Sequence, residues 1–564
     1  MSGPTAPKDP VAKKCGFYII RNKEIFSGVQ PDGRGIQFIY LDGERLLSFT
    51  RIVGDITDST MIDMLKTAEG FRKLVHSIGV TVTSEDKEES IDFVFQMYGK
   101  QDPYGSGTQL RLTLKGDGME NIINLNDYTW SEDDNVPGQI RFEFDKPGEL
   151  AKVDVKLYLH DGFSAPEPVE ETSVDTSSVI YKKMIENSLM QSGNNRRLKN
   201  AIEKAKRGED TTIAFIGGSI TQGAGATPIH TQCFAYKAYN KFCELVGVEN
   251  SGHIHFIKAG VGGTPSELGM IRYERDVLRD GIMTPDIVVV EFAVNDEGDE
   301  TKGECYDSLV RKILNGDSNP AVILLFSVFA NDWNLQERLS PVGSGYQLPM
   351  VSLKDAVVEQ FYQSSSEKIL SKNQFFYDVY HPSNIGHTIM ADSIAHLFQV
   401  VDQQPWDEEL DDRSIDPILG GEFQNVKLLD RISNVEYATI DCGDFCNTDE
   451  NLQRVEMDTN VVPTNQFPNN WMHIKGEKNF KITIRCRALL LVFKDSGEKE
   501  AGCAKVIVDG NDVFVADPQV NGWTHCNAKI VFRKEELKEH QVEIQMMPGD
   551  EDKKFTILGF GYVE

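Results

Sequence analysis

An α/β core of parallel strands and helices, with an antiparallel β domain on either side, is the architecture this sequence predicts. Three observations lead there. Strand-like alternation fills residues 1–165, apolar runs then alternate with amphipathic helical stretches to about residue 400, and alternation returns after an acidic linker at 402–416. The length of 564 residues suits about three domains, with expected bounds 1–165, 175–402 and 417–564.

In the first region, residues 90–98 read SIDFVFQMY and set Ile91, Phe93 and Phe95 on one face. Residues 139–144 (QIRFEF) do the same with Ile140, Phe142 and Phe144, and 153–159 (VDVKLYL) alternate again. Turn signals punctuate them at Pro31-Asp32-Gly33, Asp42-Gly43 and Pro147-Gly148. Residues 61–75 are the one helix candidate there, so a β-sandwich with a helical insertion is expected. Residues 163–178 (FSAPEPVEETSVDTSS) have linker composition.

The middle region changes period. Residues 212–216 and 254–257 read as short strands, and 287–292 (IVVVEF) and 322–326 as apolar runs of central parallel strands. Between them Phe234, Ala235, Ala238, Phe242 and Leu245 share a helical face, then Leu268, Ile271 and Leu278 mark a second helix. Ile385, Ile389, Met390, Ile394 and Leu397 mark a closing one. Such alternation predicts a parallel sheet covered by helices on both faces. In the last region 481–484, 489–493, 505–508 and 542–546 are strand candidates, and Asp509-Gly510 is a hairpin signal.

The formal net charge of -29 repels phosphate backbones and anionic lipid surfaces, so neither nucleic acid nor membrane is expected as a partner. No run of eighteen apolar residues occurs, and residues 1–17 lack the apolar stretch of a secretory signal. The nine scattered cysteines read as reduced thiols. A cytoplasmic protein is therefore expected. Cys442 and Cys446 lack a second pair at zinc-ligand spacing, so no metal is expected.

The chemistry lies at strand ends. Residues 212–223 (TIAFIGGSITQG) run a strand into Gly217-Gly218 and then Ser219. Ligands bind at the carboxyl ends of such strands, so a tight glycine turn would expose that serine at the reactive edge. Asp378-Val379-Tyr380-His381 places a carboxylate three residues before a histidine, as needed to hold a base in one tautomer and leave its other nitrogen for a serine. Residues 259–265 (AGVGGTP) and 291–296 (EFAVND) follow the second and third strands and offer a glycine N–H and an asparagine amide as oxyanion donors. His387, His396, His253 and His255 fall within helix or strand patterns and read as packing or surface residues.

In that order the four blocks resemble the SGNH (GDSL-like) hydrolase family over about residues 180–400. The resemblance implies a flavodoxin-like three-layer core with jelly-roll-like flanks. It makes Ser219 the nucleophile and an oxyanion N–H donor, with Gly263 (taken over Gly262) and Asn295 completing the hole. His381 becomes the general base and then the acid, oriented by Asp378. Gly218 stands where the commonest form has aspartate, and Ala293 where the third block usually has glycine. The G-G-S-I-T form is similar to the branch of carbohydrate acetylesterases that act on acetylated xylan or mannan. Its implied substrate is an acetylated oligosaccharide, with no cofactor. Gln222 and Trp333 are candidate substrate contacts. Trp471 and Trp523 are aromatic candidates in the last domain, with packing the favoured role for both. Rival readings are a general carboxylesterase, lipase or thioesterase, an acyltransferase, and an inactive carbohydrate-binding protein. The flanking domains also offer surface for a homo-oligomer.

Overall fold

The computed structural model describes residues 15–29, 35–41, 45–168, 170–247, 252–364 and 367–564. It is a mixed α/β protein with several sheets, in two compact units. One unit comprises Met1–Val174 with Leu370–Ser383, the other Asp175–Ile369 with Asn384–Glu564. The expected turns at Pro31-Asp32-Gly33 and Asp42-Gly43 lie outside the described residues.

The first unit has two antiparallel sheets. The four-stranded sheet runs Gly16–Phe26, Leu150–Leu159, Val75–Ser84, Asn121–Asn124. The five-stranded sheet runs Gly28–Val29, Ile36–Leu41, Asp134–Glu143, Ser90–Gly99, Gln109–Lys115. The alternation seen in the sequence has its cause here. Ile91, Phe93 and Phe95 share one hydrophobic core with Ile140 and Phe142 of the same sheet and with Val153 and Val155 of the other. The helical insertion differs from expectation. Residues 61–75 do not form one helix, because Thr67 is extended (φ -134, ψ 151) and its hydroxyl accepts the Gly70 N–H at 3.0 Å. That N-cap ends one helix, Ser59–Met64, and starts another, Ala68–Leu74. A further helix, Arg45–Ile52, buries Leu46, Phe49 and Thr50.

The second unit is built on a six-stranded sheet, in spatial order Leu189–Gln191, Met350–Ser352, Ala321–Phe326, Ile287–Glu291, Thr211–Gly217, Ile254–Gly260. All but the short antiparallel edge strand Leu189–Gln191 are parallel. Thr211–Gly217, Ile287–Glu291 and Ala321–Phe326 are buried along their whole lengths, as strands covered on both faces must be. The chain runs outward from Thr211–Gly217 to Ile254–Gly260 on one side, then returns to Ile287–Glu291 on the other. That reversal opens a crevice at the carboxyl ends of these three strands.

The same unit carries an antiparallel sheet of residues 427–563. The candidates 481–484 and 489–493 are one strand, Phe480–Asp495. The pair splits in sequence because register shifts fall between Cys486 and Ala488 and between Leu489 and Leu490. Ile482, Ile484 and Cys486 face the sheet's own core, and after the shift Leu489, Leu491 and Phe493 do. Leu490 and Val492 point the other way, into the core of the parallel sheet. The Asp509-Gly510 signal is a hairpin turn, with both residues at positive φ (51 and 79). Among the described residues no helix is long and apolar enough to cross a membrane.

Candidate active site

The sequence-predicted residues fall into two groups, one in each unit. In the second unit, Gly217 pairs with Gly260 on one side and Glu291 on the other, so three loops leave the sheet edge side by side. Ser219 opens a single helical turn, Ser219–Gln222, and is partly exposed. An N–H in a helix's first turn has no acceptor within that helix.

The neighbouring loops approach this turn closely. A Cβ on Gly218 would lie 2.3 Å from Asn295 Oδ1 and 2.7 Å from its Cγ. The Asn295 amide therefore packs flat on the Gly218 backbone, which accounts for glycine, not aspartate, at that position. Asn295 Oδ1 is buried without a hydrogen-bond partner among the described residues. A Cβ on Gly262 would stand 3.7 Å from Ser219 Cβ. The Gly262 N–H donates to Gln222 Oε1 at 3.1 Å, and its carbonyl accepts Gln453 Nε2 at 2.8 Å. Gly263 follows in the left-handed region (φ 68), and a Cβ there would lie 2.6 Å from Trp523 Cζ2.

Buried polar groups hold the loops. Arg272, fully buried, donates to the carbonyls of Gly217 and Ala259, each at 2.8 Å, and pairs with Asp276. Asp296 accepts the Ser266 N–H at 2.8 Å, tying the third loop to the helix after the second. Burial pushes Asp296 up to about 7 against the bond from the Ser266 N–H. Burial likewise pushes Glu291 up to about 8, against the bond from the Thr221 hydroxyl at 3.1 Å.

In the first unit, Asp378 and His381 sit on the Leu370–Ser383 segment. His381 Nδ1 lies 2.9 and 2.8 Å from the two Asp378 oxygens. Asp378 Oδ1 also accepts the N–H groups of Tyr380 and His381, both at 2.8 Å. Arg45 stands 3.9 Å from Asp378 Oδ2. Burial pushes the Asp378 carboxyl upward, but the charge and bond of His381, then Arg45 and the Tyr380 N–H, outweigh it and bring it to about 2. The carboxylate is thus ionised and aimed at one ring nitrogen.

The remaining candidates are distributed as follows. Both ends of the Gln222 amide are engaged, Oε1 by Gly262 and Nε2 by Glu456 at 2.7 Å. Trp333 is half-buried, stacked on Phe329 at 5.8 Å and packed against the parallel-sheet core. Trp471 is a core residue beside Phe480 and Phe560. Trp523 is 45% exposed, stacked on His525 at 4.4 Å, with its ring over Gly263. His387 is a scaffold residue, its ring nitrogens 3.1 Å from Phe234 N and from Ala224 O. Gln453 carried no sequence signal. Its Oε1 accepts the Cys526 N–H at 2.9 Å while its Nε2 holds Gly262, so the antiparallel sheet steadies the second loop.

An ester hydrolase is the class that this crevice and its loops suit. No family model and no curated protein matches the sequence. Among solved structures the chain is similar to a two-domain esterase (CEX) active on acetylated mannans. The match has 25% identity, covers 67% of this chain and 99% of that one, and has a TM-score of 0.58. The same esterase co-crystallised with mannopentaose matches at 25% identity over 67% of this chain and 98% of that one, with a TM-score of 0.57. The chain is a carboxylic ester hydrolase, and it is similar in structure to a carbohydrate esterase.

Proposed function

We propose that this protein is a serine esterase of the SGNH type that removes O-acetyl groups from mannan- or xylan-derived oligosaccharides. The observation that carries the reading is the exposed Trp523 ring over the Gly263 loop beside Ser219. A pyranose C–H face stacks on such a ring, which would hold a sugar with its acetyl group at the serine. The esterase active on acetylated mannans supports the same substrate class.

In the proposed mechanism Ser219 Oγ attacks the acetyl carbonyl while His381 Nε2 takes its proton. Asp378 keeps the other ring nitrogen protonated. The oxyanion receives the N–H groups of Ser219 and Gly263 and the Asn295 amide. Gly263 suits the role better than Gly262, whose N–H is bound to Gln222. The sugar alcohol leaves with the proton from His381, and water then clears the acyl-serine by the same route. No step calls on a metal or cofactor.

The parallel strands, ordered 2-1-3-4-5 in space, are read as a flavodoxin-like SGNH core over 175–402. The regions 1–165 and 417–564 are read as jelly-roll-like sandwiches, the latter carbohydrate-binding-like. Gln222 acts through Gly262, and Trp333 is a second sugar contact. A cytoplasmic setting belongs to the same proposal.

The test is acetate release from acetylated manno- and xylo-oligosaccharides beside a p-nitrophenyl ester series, for the wild type and Trp523→Ala. Loss of a stacking platform raises KM for the oligosaccharide about 10-fold and leaves p-nitrophenyl acetate nearly unchanged. Turnover of long-chain esters alone would move the function to a general carboxylesterase or lipase. Transfer to an added sugar acceptor would make it an acyltransferase.

A further inference from the structure

The segment that carries Asp378 and His381 is packed into the N-terminal unit. Its stem is a narrow loop. Phe376 bridges to Pro382, the Tyr377 N–H donates to the His381 carbonyl at 2.8 Å, and the Ser383 N–H donates to the Phe375 carbonyl at 2.8 Å. One side chain from the strand Gly16–Phe26 reaches that stem. Lys23 is 4% exposed, and its Nζ donates to the Phe376 carbonyl at 2.6 Å and to the Asn373 carbonyl.

The strand is shaped to deliver it. Register shifts fall between Tyr18 and Ile20 and between Ile20 and Lys23, and Asn22 has a positive φ of 56. Past this bulge Lys23 and Ile25 face inward. A lysine at an inward-facing strand position is costly, because its charge leaves water. Burial lowers the ammonium to about 8 despite the charges of Glu171 and Asp378. Among the described residues no carboxylate stands within ion-pair distance of it. An apolar side chain would pack there without this penalty, so what the lysine adds is its hold on two carbonyls of the loop stem. Asn373 is tied a second time, its Nδ2 donating to Glu171 Oε2 at 2.8 Å.

We infer that Lys23 is a positioning residue for the His381–Asp378 pair. The inference rests on the proposed acid–base role of His381. The experiment compares Lys23→Met, Lys23→Arg and His381→Ala in the full chain, by steady-state kinetics on p-nitrophenyl acetate and by the proton NMR signal of the His381 Nδ1–H. Rates are normalised to the folded fraction from circular dichroism. A loosened loop displaces the imidazole, and misplacement of about 1 Å costs up to roughly 100-fold. Lys23→Met is expected to lower kcat about 10- to 100-fold at nearly constant KM and to shift or broaden the Nδ1–H signal. Lys23→Arg, which keeps charge and donors, recovers most of the rate. Should Lys23→Met fail to fold, Lys23→Gln serves the same comparison. A folded Lys23→Met or Lys23→Gln with wild-type kcat and an unmoved signal, beside an inactive His381→Ala, overturns the inference alone. Full turnover by His381→Ala overturns the parent reading and this inference together.

Discussion

Replacing Gly263 with alanine adds two costs that a second substitution separates. The residue is left-handed (φ 68), which costs a non-glycine residue about 1–2 kcal/mol. Its new Cβ would lie 2.6 and 2.7 Å from Trp523 Cζ2 and Cη2, about 1 Å inside ordinary carbon–carbon contact. Overpacking of that kind costs about 1–3 kcal/mol. The sum is roughly 2–5 kcal/mol, and Trp523→Ala removes only the second part. A double-mutant cycle by calorimetry should therefore show Gly263→Ala costing about 1–2 kcal/mol in the Trp523→Ala background, with a coupling of about 1–3 kcal/mol. At on the order of 2 °C per kcal/mol, the shifts are measurable. Strict additivity would refute the claim that Trp523 stands over the Gly263 loop.

Four further outcomes follow from the same geometry. Asp378→Asn leaves His381 in the wrong tautomer and should lower kcat by roughly 10⁴, read on p-nitrophenyl acetate. Asp378 lies near 2, below its usual 3.8, so its stabilisation of about 2 kcal/mol is fully present above pH 4 and lost as pH falls toward 2. Urea titrations of wild type and Asp378→Asn should converge over that window. Gly218→Ala would put a methyl 2.3 Å from Asn295 Oδ1. It should displace that amide and cost on the order of 100-fold in kcat with the fold intact by circular dichroism. Gln453→Leu leaves the Gly262 carbonyl and the Cys526 N–H without their partner. It should cost about 1–3 kcal/mol in a thermal melt and lower kcat more than it raises KM.

The parallel strands were legible because burial on both faces leaves unbroken apolar runs, as in IVVVEF. Two of the loops at their ends were legible as glycine-rich turns, and the hairpin at Asp509-Gly510 as a local backbone demand. Features made by contacts distant in sequence were not. Lys23 touches Phe376 across 353 positions and Gln453 touches Gly262 across 191, and neither has a local pattern to mark it. Trp523 read as a packing residue because nothing local tells which sheet face meets the Gly263 loop. The strand His525–Met546 was seen only at 542–546, since the polar run at 533–539 has no alternation to follow.

The central claim is an acetyl group carried on Ser219. Its most direct test is acid-quenched peptide mapping by mass spectrometry during turnover of an acetylated manno-oligosaccharide, in wild type and Ser219→Ala. The account predicts an acetyl adduct on the Ser219 peptide of the wild type, and neither adduct nor acetate release from Ser219→Ala. Acetate release at the wild-type rate by Ser219→Ala would contradict it.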